Sequence, residues 1–272
     1  MKTINFTKIS AAGNDFVLID NRNKTIKRSI SKIAVKLCDR RRSIGADGLL
    51  LLQKSNKADF QMLYFNSDGS RASMCGNGAR AIARFVNIIG AAKSNMSFLT
   101  DAGIIYAKIN GESIAVNLSN PHSYRPQVDV LLNGKKLKCA YINTGVPHIV
   151  LFVPNVEKIN VKELGSALRF HKAFAPDGTN VNFVQVKGNT LIVRTYERGV
   201  EDETLACGTG VSACSLVSVL EGKVKQPVSC IVRSGDKLTV SFDVTANNAR
   251  YPAKNLWLHG PAVVSFSGKV SI

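Results

Sequence analysis

Apolar and polar positions alternate along much of this chain in short runs, punctuated by glycine turns and by two longer segments of helical character. The runs "DFQMLYF", "SIAVNL", "TLIVRTY" and "KLTVSF" read as strands, because a period of two places every second side chain on one face. The helical segments begin at Gly76 and Gly208. The first offers Ala79, Ile82, Ala83, Phe85 and Val86, and the second Val211, Ala213, Leu216, Val217 and Leu220. Both are apolar around most of their circumference, so each is expected to be wrapped by sheet rather than to lie on a surface.

The pattern is written twice. Cys207 follows Cys75 by 132 positions, and the same shift sets Gly13 over Gly145 and Gly48 over Asn180. "KISAAGNDFVLID" then falls on "AYINTGVPHIVLFV", and "GADGLLLLQ" beside "PDGTNVNFVQV". The loops before the cysteines, "YFNSDGSRASMC" and "TYERGVEDETLAC", correspond with one extra residue in the second. Internal repetition at one spacing implies two similar α/β lobes. A boundary is expected near "NPHSYRP", where Pro121 and Pro126 interrupt the strand pattern.

Composition narrows the class. With 272 residues, 45% apolar and 20% charged, the chain can bury a core in one large domain or two smaller ones without metal or disulfide staples. "MKTINF" is followed by polar positions and no run approaches a membrane span, so a cytoplasmic protein is expected, with no membrane partner. Six scattered cysteines without a CxxC pair, and four histidines at no ligand spacing, point to thiols and to no metal site. The net charge of +17 admits nucleic acid. Dispersed basic residues, clustered only in "DRRRS" and "NGKKLK" and without interleaved aromatics, fit a solvated surface better, so no nucleic-acid partner is expected.

The candidate chemistry lies at the two repeated helix starts. A thiol at a helix N-terminus sits in the field of unpaired N–H groups, which favours the thiolate, and the same N–H groups can cradle a carboxylate. Glycines at 76, 78, 208 and 210 remove Cβ atoms that would keep a ligand from the backbone. "GNGARA" and "GTGVSA" also fit the dinucleotide pattern G-x-G-x-x-A, but no strand runs directly into the first glycine, so a nucleotide site is disfavoured.

With "GNDFVLID", "GADG", "NSDGSRASMCGNGAR", "PHIV", "TNVNF" and "YERGVEDETLACGTG" in one order over the whole chain, the sequence resembles the diaminopimelate epimerase family. The resemblance implies an α/β (α+β) fold of two pseudo-symmetric lobes, each a β-barrel-like sheet around a central helix, with the active site in the cleft between them. The expected extents are residues 1–119, 120–262, and a C-terminal strand, 263–272, returning to the first lobe. It implies cofactor-independent epimerisation of LL- and meso-diaminopimelate by two cysteines, with lysine and peptidoglycan precursors as the metabolic setting. Cys75 and Cys207 match the catalytic positions, and His148 and Glu197 match positions that adjust thiol protonation. Gly76, Asn77, Gly208 and Thr209 match the backbone carboxylate cradle, and Asn14, Asn66, Asn180, Glu197 and Arg198 the other substrate contacts. No cofactor is implied, and a homodimer is allowed for.

Two departures from the family pattern stand out. Val146 occupies the place of a substrate-binding asparagine in "GVPH", and "ERGVEDET" is one residue longer than the usual motif. Both point toward a looser substrate range. A proline-racemase-like enzyme or another amino acid racemase is the alternative chemistry, and a basic nucleic-acid-binding module the alternative class.

Overall fold

A computed structural model describes residues 3–27, 29–132, 134–245 and 250–272. Of the stretches named above, Met1, Lys2 and Asn133 lie outside the described residues. The chain divides into two compact units, Met1–Val116 with Gly260–Ile272, and Asn117–His259.

The first unit contains β1 (Thr3–Ala11), β2 (Asn14–Asp20), α1 (Ile30–Cys38), β3 (Gly48–Gln53), β4 (Phe60–Asn66), β5 (Arg71–Ala72), α2 (Gly76–Ile88), β6 (Asn95–Thr100), β7 (Gly103–Asn110) and β8 (Ser113–Asn117). β1 pairs antiparallel with β2, and β2 runs parallel to β3. A parallel pair cannot be closed by a tight turn, and α1 supplies the crossover. Val17 and Ile19 of β2 pack toward the α1 core with Ala34 and Leu37, whereas Phe16 approaches α2 at Gly78. The strand is therefore buried on both faces, which explains its nearly continuous apolar run.

The second unit repeats this plan with β9 (His122–Leu132), β10 (Lys135–Asn143), β11 (Pro147–Phe152), α3 (Val161–Arg169), β12 (Asn180–Lys187), β13 (Thr190–Glu197), β14 (Asp202–Thr204), α4 (Gly208–Leu220), β15 (Val228–Ile231), β16 (Lys237–Val244) and β17 (Ala253–Pro261). Again the parallel pair, β11 with β12, is joined through a helix, α3. The final strand, β18 (Val263–Ser271), pairs antiparallel with β1 in the first unit. α2 packs on β1, β2, β3 and β7, and α4 on β10, β11, β12, β13, β15 and β16, so each is a central helix enclosed by strands.

Register makes the repetition quantitative. Phe16 pairs with Gly48, and 132 residues on His148 pairs with Asn180. Tyr64 pairs with Ala72, and Thr195 with Thr204, so the first partners are 131 apart and the second 132. The hairpin before β13 is thus one residue short, and the longer loop before Cys207 restores the offset.

Two expectations change. The strand-and-turn pattern predicts no helix at α1 or α3, although Ile30, Ile33, Ala34 and Leu37 have the required spacing. Of the two prolines, Pro121 lies in the break between β8 and β9, but Pro126 does not interrupt the chain: β9 runs through it, where the pairing with β10 shifts register between Cys139 and Tyr141. Proline is tolerated in a sheet where a bulge removes the need for its missing N–H.

Among the described residues no helix is long and apolar enough to cross a membrane. The basic cluster at Arg40 is partly spent internally, since this guanidinium bonds both carboxylate oxygens of Asp15, at 2.9 and 2.7 Å, and Asp47 at 2.8 Å.

Candidate active site

Cys75 and Cys207 are the N-cap residues of α2 and α4, each in extended backbone conformation immediately before a Gly-x-Gly turn. This is the position from which a side chain meets the unpaired amides of the first turn. The Cys75 sulfur accepts from the Gly78 amide at 3.5 Å. All six cysteines are thiols, but the other four are poor acid-base groups. Burial pushes Cys38, Cys139 and Cys230 up to about 12, and Cys214 well above its usual value.

Around α2, Asn14 and Asn77 meet directly. The Asn77 amide donates to the Asn14 carbonyl oxygen at 2.5 Å, and Asn14 donates to Asp47 at 3.0 Å. Arg80, fully buried one turn into α2, donates to the Asn77 oxygen at 2.7 Å and so holds that residue from behind. Asn66 ends β4 and donates to the Ser70 hydroxyl at 3.0 Å.

Around α4 the polar groups form one chain. Cys207 Sγ lies 3.4 Å from Thr209 Oγ1, which is 3.0 Å from His148 Nε2. On the other side of the ring, His148 Nδ1 is 3.1 Å from Asn182 Nδ2. Glu197 is hydrogen-bonded to the Cys207 thiol; burial pushes its carboxyl up, and that bond offsets part of the rise. Asn180 accepts from the Arg198 amide at 2.8 Å and donates to the Pro147 carbonyl at 2.8 Å. Arg198, half-buried, lines a polar cavity of about 530 Å³ with Arg125, Tyr141, Asn143 and Asp177. Val146 sits in the turn between β10 and β11, where its carbonyl accepts from Thr144, whereas Asn14 is the first residue of β2.

The glycines divide by cause. A Cβ on Gly210 would lie 2.4 Å from Asn182 Oδ1, so this position is glycine to admit a protein side chain rather than a ligand. At Gly78 the nearest atoms are at 3.5–3.6 Å, ordinary contact. Gly210→Ala should therefore cost about 2 kcal/mol through overpacking, while Gly78→Ala should stay within about 1 kcal/mol of the parent. Urea unfolding of both variants checks this, and equal losses would contradict the steric account.

His148 is fully buried, and burial, aided by the positive charge of Arg198, pushes its ring down to about 3. The folded state thus holds it neutral, while an unfolded histidine takes a proton near 6.5. Between these values the unfolded chain binds more protons, so this contribution to stability is complete above 6.5 and is lost as pH falls toward 3. The thermal midpoint should fall more steeply over that window in the parent than in His148→Gln. Parallel curves would argue against a buried neutral ring.

Asn182 escaped the sequence reading. A signal was present: in "TNVNF" it shares a strand face with Asn180, and the repeat places Leu50 at the corresponding position.

Solved structures of this fold include a PhzF-family phenazine biosynthesis protein from Bacillus anthracis, with a TM-score of 0.78 at 18% identity over 100% of both chains. A probable proline racemase from Agrobacterium radiobacter K84, with bound carbonate, gives 0.74 at 12% identity over 99% of this chain and 93% of that one. These place the chain in the two-lobed fold class to which those proteins belong. The family model described as Diaminopimelate epimerase matches residues 6–123 and 140–252. The diaminopimelate epimerase of Aquifex aeolicus (strain VF5) is 44% identical over 98% of this chain and 97% of its own length. That of Chlorobaculum tepidum is 38% identical over 97% and 100%. The chain belongs to the diaminopimelate epimerase family.

Proposed function

We propose that this protein is a cofactor-independent isomerase that interconverts LL- and meso-diaminopimelate, serving lysine and peptidoglycan precursor synthesis in the cytoplasm. The observation that supports it best is the same device built at matching register in both repeats, a cysteine at the N-cap position of a Gly-x-Gly helix, in a chain matched to this family over nearly its full length.

In this reading Cys75 and Cys207 serve opposite faces of one α-carbon. A thiolate takes the α-proton, the C–H electron pair passes into the adjoining carboxylate, and the thiol opposite delivers its proton to the other face. The first sulfur is left as thiol and the second as thiolate, so the pair is ready for the reverse direction. Backbone N–H groups of Gly76, Asn77, Gly208 and Thr209 would hold that carboxylate, where charge develops on deprotonation. Glu197 receives the Cys207 hydrogen bond, and its raised carboxyl is closer to a thiol's range than an exposed glutamate would be. Arg198, with Asn14, Asn66 and Asn180, would recognise the remote amino acid group by charge-assisted and amide hydrogen bonds. His148, neutral and enclosed, acts through Thr209 rather than on the substrate.

The test is incubation with diaminopimelate isomers in heavy water, with glutamate and proline alongside. Deuterium should enter the α-carbon of diaminopimelate with inversion. Exchange into no amino acid would overturn the reading, and comparable turnover of glutamate would replace strict recognition by the looser range that Val146 suggests.

A further inference from the structure

We infer that Asn182 is a positioning residue that fixes the tautomer of His148 and, through it, aims the Thr209 hydroxyl hydrogen at the Cys207 sulfur. This rests on the proposed role of Cys207 as an acid-base group. Five hydrogen bonds carry it. Asn182 Nδ2 donates to the Ile149 carbonyl at 2.8 Å, and Asn182 Oδ1 accepts from the Thr195 hydroxyl at 2.9 Å. The opposite amide orientation would set two acceptors face to face at Ile149, so the orientation is determined by the network. The remaining Nδ2 hydrogen faces His148 Nδ1 at 3.1 Å, which makes Nδ1 an acceptor.

A neutral ring whose Nδ1 accepts carries its proton on Nε2. Nε2–H therefore donates to Thr209 Oγ1 at 3.0 Å. Having accepted there, the hydroxyl has its own hydrogen to give, and Cys207 Sγ is 3.4 Å away. The backbone of Thr209 is steadied by Thr144, whose hydroxyl donates to the Thr209 carbonyl at 2.9 Å. A hydrogen bond given to sulfur stabilises the thiolate over the thiol.

The repeat supplies an internal control. Gly210 is approached by Asn182, whereas Gly78 is approached by Leu50 and Phe16, the residues 132 positions before Asn182 and His148. The Gly-x-Gly turn of α4 is thus backed by a polar relay, and that of α2 by apolar side chains.

Other ionisable groups bear on the relay and stay constant in the test. Glu197 of β13 is hydrogen-bonded to Cys207, Cys214 of α4 senses the Cys207 charge, and Arg198 acts on His148.

Two measurements test the inference without any need for turnover. Nitrogen-15 NMR of the parent should show His148 protonated at Nε2 and bare at Nδ1; a proton on Nδ1 overturns it. Iodoacetamide labelling of Cys207 against pH, resolved by peptide mass spectrometry, should shift its midpoint upward by about one pH unit in Thr209→Val, the size expected for a lost hydrogen bond to a charged group. Thr209→Ser should keep the parent midpoint. Asn182→Leu, which copies the other repeat, should shift it the same way and populate the Nδ1–H tautomer; if that variant does not fold, Thr209→Val and the parent spectrum still decide. Unmoved midpoints in folded variants overturn the relay. Absence of deuterium exchange in the parent would instead overturn the epimerase reading and leave these readouts as they are.

Discussion

Cys75→Ala and Cys207→Ala should each lower epimerisation of diaminopimelate on the order of 10⁴-fold, the upper range for removing one positioned acid-base group. Inversion requires a proton to leave one face and another to arrive at the opposite face, and alanine can do neither. The folds should be preserved, because alanine removes one sulfur atom at an N-cap position, partly exposed at Cys75 and 7% exposed at Cys207, and fits the extended backbone found at both. The informative measurement is deuterium at the α-carbon together with configuration. A variant holding one thiolate can still remove and return a proton on its own face, so residual exchange with retention is expected from one isomer only, and from opposite isomers in the two variants. Inversion at the parent rate in either variant would remove that cysteine from the mechanism.

The largest stability effect is expected at Arg194. Its guanidinium meets Glu203 through two bonds of 2.7 Å, with side chains only 10% and 18% exposed, and also donates to the carbonyls of Val156 and Ile159 at 2.8 and 3.1 Å. A surface pair of this kind would contribute little, but here truncation strands a carboxylate and two carbonyl oxygens. Arg194→Leu should cost about 3 kcal/mol, the lower end for breaking a buried pair. Arg233, with Nε 3.8 Å from Glu203, remains as a weaker partner. Urea unfolding measures the loss, and a change below about 1 kcal/mol would class the pair with surface bridges. Replacing both partners with leucine should recover much of the loss, because no unpaired charge is then left behind. Glu203 lies on β14, in the long loop that leads into Cys207, so the pair also anchors the entry to α4.

Much of this was legible in the residues. The 132-residue repeat, the two cysteine-headed helices and the principal strands follow from periodicity and turn chemistry, and the family motifs supply the residues of the proposed site. The crossover helices α1 and α3 were missed because short amphipathic segments between strands resemble loops when only the apolar runs are followed. The strand through Pro126 was missed because proline reads as a break unless a bulge is known to lie there.

Periodicity and local chemistry fix which residues begin a helix and which face is apolar, since both depend on neighbours close in the chain. That is why the sequence determined the duplicated plan and the placement of both thiols. What surrounds each thiol depends on residues brought from other strands: His148 and Asn182 at Cys207, Phe16 and Leu50 at Gly78. Hydrogen-bond direction and steric exclusion act over a few ångströms in space, whatever the distance in sequence. Only the tertiary structure could therefore decide that Gly210 makes room for an amide and that the two Gly-x-Gly turns, written alike, meet different side chains.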